Sequence, residues 1–273
     1  MSSLPEQTNG YAQLAADVLA RAKQCGATAA DIVVADGESF SVQVRVGAVD
    51  RLSKAREKRL GLRVFAGKRS ATTSTSDFSI DSLHRLVDET CTLAKAVVPD
   101  EVSGLPEASE LAVNWPDLDL YDSTRLGTDQ QIDLAKRAES AALSADPRMT
   151  NSEGGDFDSS SGRVVLANSH GFVGEYRSSS FSISVSPIAT DAATGGMQRD
   201  AWYSSMRNAA DLASPEAVGR YAAERALSRL KARRVPTCEL PVLFEAPVAA
   251  GLLGSFVQAV SGGSLYRKAT FLL

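Results

Sequence analysis

The run Phe181-Ser182-Ile183-Ser184-Val185-Ser186 limits the possible folds more than any other short stretch of the chain. Strict alternation of apolar and polar residues has a period of two, which an extended strand matches and a helix does not. It puts Phe181, Ile183 and Val185 on one face and three hydroxyls on the other. The apolar face must be covered, while the hydroxyl face can meet water or a ligand. An antiparallel sheet with helices on one side satisfies both demands. Phe40, Val42, Val44 and Val46 alternate with polar residues in the same way and predict a second half-buried strand.

The remaining pattern supplies the helices. Residues 11–25 predict a helix with Leu14, Val18, Leu19 and Ala22 inward and Gly26 as its stop. Strands are expected at 31–35 and 40–46, with Asp36-Gly37 as the hairpin turn between them. Further extended segments fall at 51–59, 61–65 and 70–75, the last two joined by Gly67-Lys68-Arg69. Ser79 is placed to cap a second helix with Ile80, Leu83, Val87 and Ala94 inward. Residues 1–98 are thus expected to form an N-terminal α+β domain. Residues 99–122 hold seven acidic side chains and no basic one, with Pro106 and Pro116 as breakers, and read as a connector. Trp115, Leu118, Leu120 and Tyr121 predict that it is docked. A middle α+β domain, 123–234, opens on Thr128 and Gln131 as a capping box. The small, polar stretch 151–161 follows that helix, with strands expected at 162–167 and 171–176. Ser214-Pro215-Glu216 starts another helix. Residues 235–273 begin a third region. The expected fold class is α+β: two domains, each of antiparallel strands packed with helices, plus the truncated start of a C-terminal domain.

Composition excludes several classes. With 44% hydrophobic and 23% charged residues over 273 positions, the chain is globular. A net charge of −4 argues against a general nucleic-acid binder. No apolar run approaches the ~20 residues of a membrane span, and the first ten residues lack the pattern of a signal peptide. Cys25, Cys91 and Cys238 are far apart and odd in number, which fits a reducing cytoplasm. Only two histidines are present, His84 and His170, and neither has a Glu or His at metal-ligand spacing. No G-x-S-x-G elbow or phosphate loop occurs. One charge feature remains. Eight basic residues fall between Arg51 and Arg69, with Glu57 as the single acid. Such a run is a solvated strand face, a surface that meets the acidic connector, or a site for a nucleic acid or an acidic peptide.

The stretch 241–268 carries the most specific signal. Pro247 suits a first helical turn, and Val248, Leu252, Leu253, Phe256, Val257 and Val260 recur at helical spacing. Val242-Leu243-Phe244 reads as a short strand, and Gly262-Gly263 as the helix stop. This stretch resembles the TldD/PmbA family, also called modulators of DNA gyrase. The catalytic branch of that family has His-Glu-x-x-x-His in this helix, preceded by Leu-Leu and followed by Arg-Lys. Leu252-Leu253 and Arg267-Lys268 align without a gap, so the two histidines and the glutamate fall on Gly254, Ala259 and Ser255. All three are replaced. The chain is therefore similar to the metal-free PmbA (TldE) branch.

The resemblance implies a non-catalytic partner subunit of a zinc metalloprotease complex that trims or degrades unfolded peptides. Family members are linked to trimming microcin leader peptides and to degrading an antitoxin. It implies a TldD-like metal-bearing partner in a cytoplasmic heterodimer, an extended peptide as substrate, and no membrane or nucleic acid. Zinc is expected in the partner, with no cofactor, catalytic residue or metal ligand in this chain. Members continue past residue 273, so the chain is expected to be truncated. A peptide is expected to add to a strand edge at 162–176 or 181–187, with Ser182, Ser184 and Ser186 as candidate contacts. The alternative is a stand-alone interaction or regulatory protein that uses the basic strand face.

Overall fold

The computed structural model describes residues 8–273. It divides into two compact units, the first running to Lys231 and the second from Ala232 to Leu273. In the first unit the elements run α1 (Thr8–Gln24), β1 (Ala29–Arg45), β2 (Ala48–Ala66), β3 (Arg69–Thr75), α2 (Ile80–Ala96), α3 (Thr128–Leu143), β4 (Met149–Asn168), β5 (Val173–Thr190), β6 (Met197–Arg199), β7 (Trp202–Met206) and α4 (Pro215–Ser228). The second holds α5 (Ala246–Ala259) and α6 (Gly262–Tyr266). The class is α+β, as expected.

All seven described strands lie in one antiparallel sheet, in the order β3-β2-β1-β4-β5-β6, with β7 also on β5. The two expected domains thus share a sheet. The reason lies in β1. Ile32, Val34, Phe40, Val42 and Val44 all have the same parity, so one unbroken strand keeps them all on one face. Asp36-Gly37 is not a turn: Gly37 passes through the sheet opposite Gly162. The hairpin lies further on, at Val46-Gly47, where both residues have positive φ (50° and 77°). That backbone matches the right-handed twist of paired strands. Val46, expected to be a buried strand residue, sits exposed at this tip.

Two large hydrophobic cores lie on the same face of the sheet, and a smaller third one joins Met149 and Ala189 to Ala223 and Ala226 of α4. α1 and α2 cover Ile32, Val34, Leu60, Leu62, Val64 and Val165 with Val18, Leu83, Leu86 and Val87. α3 and α4 cover Phe40, Val42, Val44, Phe157, Phe181, Ile183 and Val185 with Ala135, Ala138, Ala142 and Val218. Between the cores the helix side of β1 carries Asp36, bonded by Tyr11 Oη at 2.9 Å, and Glu38, 3.7 Å from Arg125.

Several local expectations shift. Residues 151–161 lie in the first part of β4, because β5 pairs with this small, polar segment on one side and β1 pairs with residues 155–161 on the other. Paired neighbours override weak strand propensity. The turn before α3 is closed one residue earlier than expected, with Gln130 Oε1 accepting from Gly127 N–H at 2.8 Å. Gln131 is instead buried, donating to Leu126 O and accepting from Ser159 Oγ. Ser79 precedes α2, but its hydroxyl donates to Asp77 rather than capping. Ile80 is exposed. Ser214 caps α4 as expected, its Oγ accepting from Ala217 N–H.

Candidate functional site

The helix-free face of the sheet is a floor of short polar side chains. Across it, Ser182 is paired with Asp158 and Asp158 with Ser41; Ser184 is paired with Asp156 and Asp156 with Gln43. β7 extends these rows with Ser205 and Tyr203, and Ser186 lies farther along β5. The hydroxyl face read from the alternation is therefore real, and it is wider than one strand. Its strand edges are taken, however. β4 is paired with β1 and β5, and β5 is held between β4 and β7 over residues 181–185. Beyond that, Leu120 O of the connector accepts from Ser179 N–H at 3.0 Å. The strand addition expected at 162–167 and 181–185 is thus blocked, since both backbone rows are bonded there. The outer row of residues 173–176 pairs with no described strand.

Asp156 and Asp158 were not singled out from the sequence. The signal was Asp156-Phe157-Asp158, a two-residue period around an aromatic, inside a stretch otherwise poor in strand formers. Partial burial, with Asp158 alongside, holds the Asp156 carboxyl above the ordinary range, while a hydrogen bond with Gln43 opposes the shift. A raised carboxyl penalises the folded state only where it must ionise. The penalty is absent below the unfolded-state value and complete above the folded one. Asp156→Asn should therefore raise the urea midpoint at neutral pH, with the gain fading as the pH falls into the acid range. A gain that is constant with pH would show that charge is not the cause.

The acidic connector is docked, as expected, and meets the basic run at Lys68, in the turn that follows β2. Asp100 N–H donates to Lys68 O, Trp115 packs against Phe172, and Asp122 accepts from Ala209 N–H. Arg177 lies over the Tyr121 ring at 3.9 Å. His170 Nδ1 is 3.0 Å from Pro106 O. A carbonyl only accepts, so Nδ1 carries the proton. His84 is exposed on α2. Cys25 donates to Asp88 at 3.0 Å, and that bond, with burial, pushes the thiol up, away from nucleophilic character.

In the second unit, α5 places Gly254, Ser255 and Ala259 on one helix. A side chain at Gly254 would meet nothing within 4 Å. Ser255 Oγ donates to Gly251 O at 3.1 Å, and Ala259 is buried at the helix end. A catalytic zinc needs three protein ligands with available lone pairs. This donor set does not fit one, because Ser255 alone offers a side-chain oxygen, while Gly254 and Ala259 offer no donor atom. Among the described residues, no three His, Cys, Asp or Glu side chains converge to hold a metal. Residues 242–244 form no strand, since no described strand pairs with them. Gly262 and Gly263 open α6 rather than stopping α5.

Two family models match the chain: PmbA/TldA metallopeptidase domain 1 over residues 30–94, and the PmbA/TldA metallopeptidase central domain over residues 121–230. The chain belongs to the TldD/PmbA family. It is 41% identical over 244 residues to metalloprotease PmbA of Escherichia coli O157:H7, covering 89% of this chain and 54% of that protein. It is 36% identical over 252 residues to the metalloprotease PmbA homolog of Haemophilus influenzae, covering 92% and 55%. This TldD/PmbA chain therefore spans about half the length of these curated relatives. Its fold superposes with a TM-score of 0.89 on a Bacteroides thetaiotaomicron protein named as a modulator of DNA gyrase, at 25% identity, covering 97% of this chain and 60% of the other. TldE from Thermococcus kodakarensis shares the fold at a TM-score of 0.64 and 14% identity, covering 78% and 47%. The family models part between α2 and α3, but each large core draws on both: Phe40, Val42 and Val44 of the first model lie under α3 and α4, and Val165 of the second under α1 and α2.

Proposed function

We propose that this TldD/PmbA chain is the metal-free subunit of a two-subunit peptidase, which contributes a binding surface while a TldD-like partner holds the zinc. The observation that carries the reading is α5. The helix keeps an apolar stripe of Val248, Leu252, Phe256 and Val257, yet Gly254, Ser255 and Ala259 offer neither a ligand set nor a general base. Hydrolysis of a peptide by a metalloprotease needs a polarising metal and a base for its water. The polar floor of the sheet, with Ser182, Ser184 and Ser186, supplies hydrogen-bonding side chains for an extended, unfolded peptide. Among the described residues no helix is long and apolar enough to cross a membrane. The reading places the assembly in the cytoplasm, where the three free cysteines stay reduced.

The test is cleavage of an unstructured peptide by this protein, by a TldD-like subunit, and by the mixture, with zinc content measured on each. We expect no cleavage and less than about one zinc per ten chains from this protein alone, and activity from the mixture. Gly254→Trp should lower the joint activity while leaving the first unit folded. One zinc per chain, or cleavage by this chain alone, would overturn the reading. Full activity from the metal-bearing subunit alone, unchanged on mixing, would favour a stand-alone interaction protein instead.

A further inference from the structure

β2 is paired with β1 along its length, but β3 reaches only Leu60 to Ala66. Residues 48–59 therefore carry an outer backbone edge that no described strand pairs, and all are exposed except the half-buried Ala55. The free edge is about twice a mean strand in length. Unpaired edges of this kind join other strands unless something selects against it.

Here the selecting feature is charge. Lys54, Arg56 and Lys58 project to the side of the sheet that carries the helices, and Arg51 and Arg59 to the other. Asp50 and Glu57 are the acids of the same segment. Arg56 is partly matched by Asp36 at 3.6 Å, and Lys58 lies over the Phe78 ring at 4.6 Å. Lys54 faces no carboxylate in β1, being paired with Phe40. Where β3 leaves the edge, Arg56, Lys58 and Arg59, with Glu57 as the single acid, join Ser74, Thr75 and Ser76 around a cavity of about 740 Å³. Two copies pairing edge to edge would set these cations against one another, so a second copy is disfavoured. The chain's own acidic connector is engaged elsewhere, at Lys68, His170 and Ser179. A nucleic acid would use the cations but leave the backbone row unbonded.

We propose that residues 48–59 of β2 are a docking edge for an extended acidic polypeptide segment, which adds to the sheet as a further strand. Backbone hydrogen bonds supply affinity for any extended chain, and the cations on both sides choose an acidic one. The proposal is independent of which subunit holds the zinc.

The experiment uses the whole chain and a fluorescein-labelled peptide of alternating Glu and Val, read by anisotropy. We expect saturable binding that weakens with salt and shifts the amide resonances of residues 48–59. Arg51→Gln with Lys54→Glu should weaken it about tenfold. The same peptide N-methylated at alternate residues keeps its charge but loses half of its backbone donors, and should lose binding to a similar extent. Equal binding of the N-methylated peptide would overturn strand addition. Equal or tighter binding of an oligo-dT of the same charge would make the edge a nucleic-acid surface instead. Unchanged binding by the variant, or no binding of the acidic peptide, would remove the edge as a site.

Discussion

Gly219→Ala should destabilise the first unit by about 3 kcal/mol, although alanine favours a helix over glycine by about 1 kcal/mol. The cause is the contact between α4 and α3. A Cβ on Gly219 would stand 2.3 Å from Ala138 O and 2.9 Å from both Ala141 Cβ and Ala142 N. These are backbone and short side-chain atoms, which cannot swing aside. α3 is equally close on its other side, where a Cβ on Gly155 of β4 would reach 2.6 Å from Ala135 O. The helix is held between two glycines, and alanines line its buried face. Gly251→Ala in α5 is the control, since a Cβ there meets nothing within 4 Å. It should be neutral or stabilising. Urea unfolding of the two variants decides the matter. A Gly219→Ala protein within about 1 kcal/mol of the parent would mean that α3 and α4 are farther apart than described.

The second large effect is expected at Glu139. This α3 side chain is 1% exposed. Its two oxygens accept from Val46 N–H and Gly47 N–H, each at 2.8 Å. Those residues form the tip of the β1–β2 hairpin, where Val46 is held at a φ of 50°. A β-branched residue in the left-handed region costs roughly 1–2 kcal/mol, and the carboxylate holds it there. Glu139→Leu should destabilise by about 3 kcal/mol, the scale of two hydrogen bonds to a charged acceptor partly offset by water at the tip. Glu139→Gln keeps one acceptor and should cost about half. Val46→Asn should move stability the other way, by up to about 1 kcal/mol, because asparagine tolerates this backbone. Hydrogen exchange at the Val46 and Gly47 amides gives the local readout. Unchanged protection in Glu139→Leu would show that the side chain is not what holds the tip.

The sequence showed some of this plainly and concealed the rest for identifiable reasons. Phe181, Ile183 and Val185 stated their strand and its buried face, because the period is unbroken. Asp36-Gly37 misled because a turn dipeptide is a local signal, whereas the parity of Ile32 through Val44 is the longer one that holds. Residues 151–161 concealed half of the central strand: their extended form comes from two neighbours and not from their own preferences. The polar floor was therefore legible on β5 and hidden on β4, where Asp156 and Asp158 lie. The reading of Gly254, Ser255 and Ala259 in α5 as replaced metal positions rests on the resemblance alone, since glycine, serine and alanine in a helix carry no chemical signal.

The length of β1 also bears on how the molecule is made. β2 follows it through a two-residue turn and can pair at once, but its other partner, β4, is encoded far downstream. At ~5–20 residues per second of synthesis, β1 waits on the order of ten seconds with one flank bare. During that interval the nascent chain has a hydrophobic-faced hairpin whose outer edge on the β2 side is guarded by cations, while the flank reserved for β4 lacks such a row. The ribosome-bound intermediate is thus protected on one side and vulnerable on the other. A fragment cut at the boundary between the two family models would keep that vulnerability permanently.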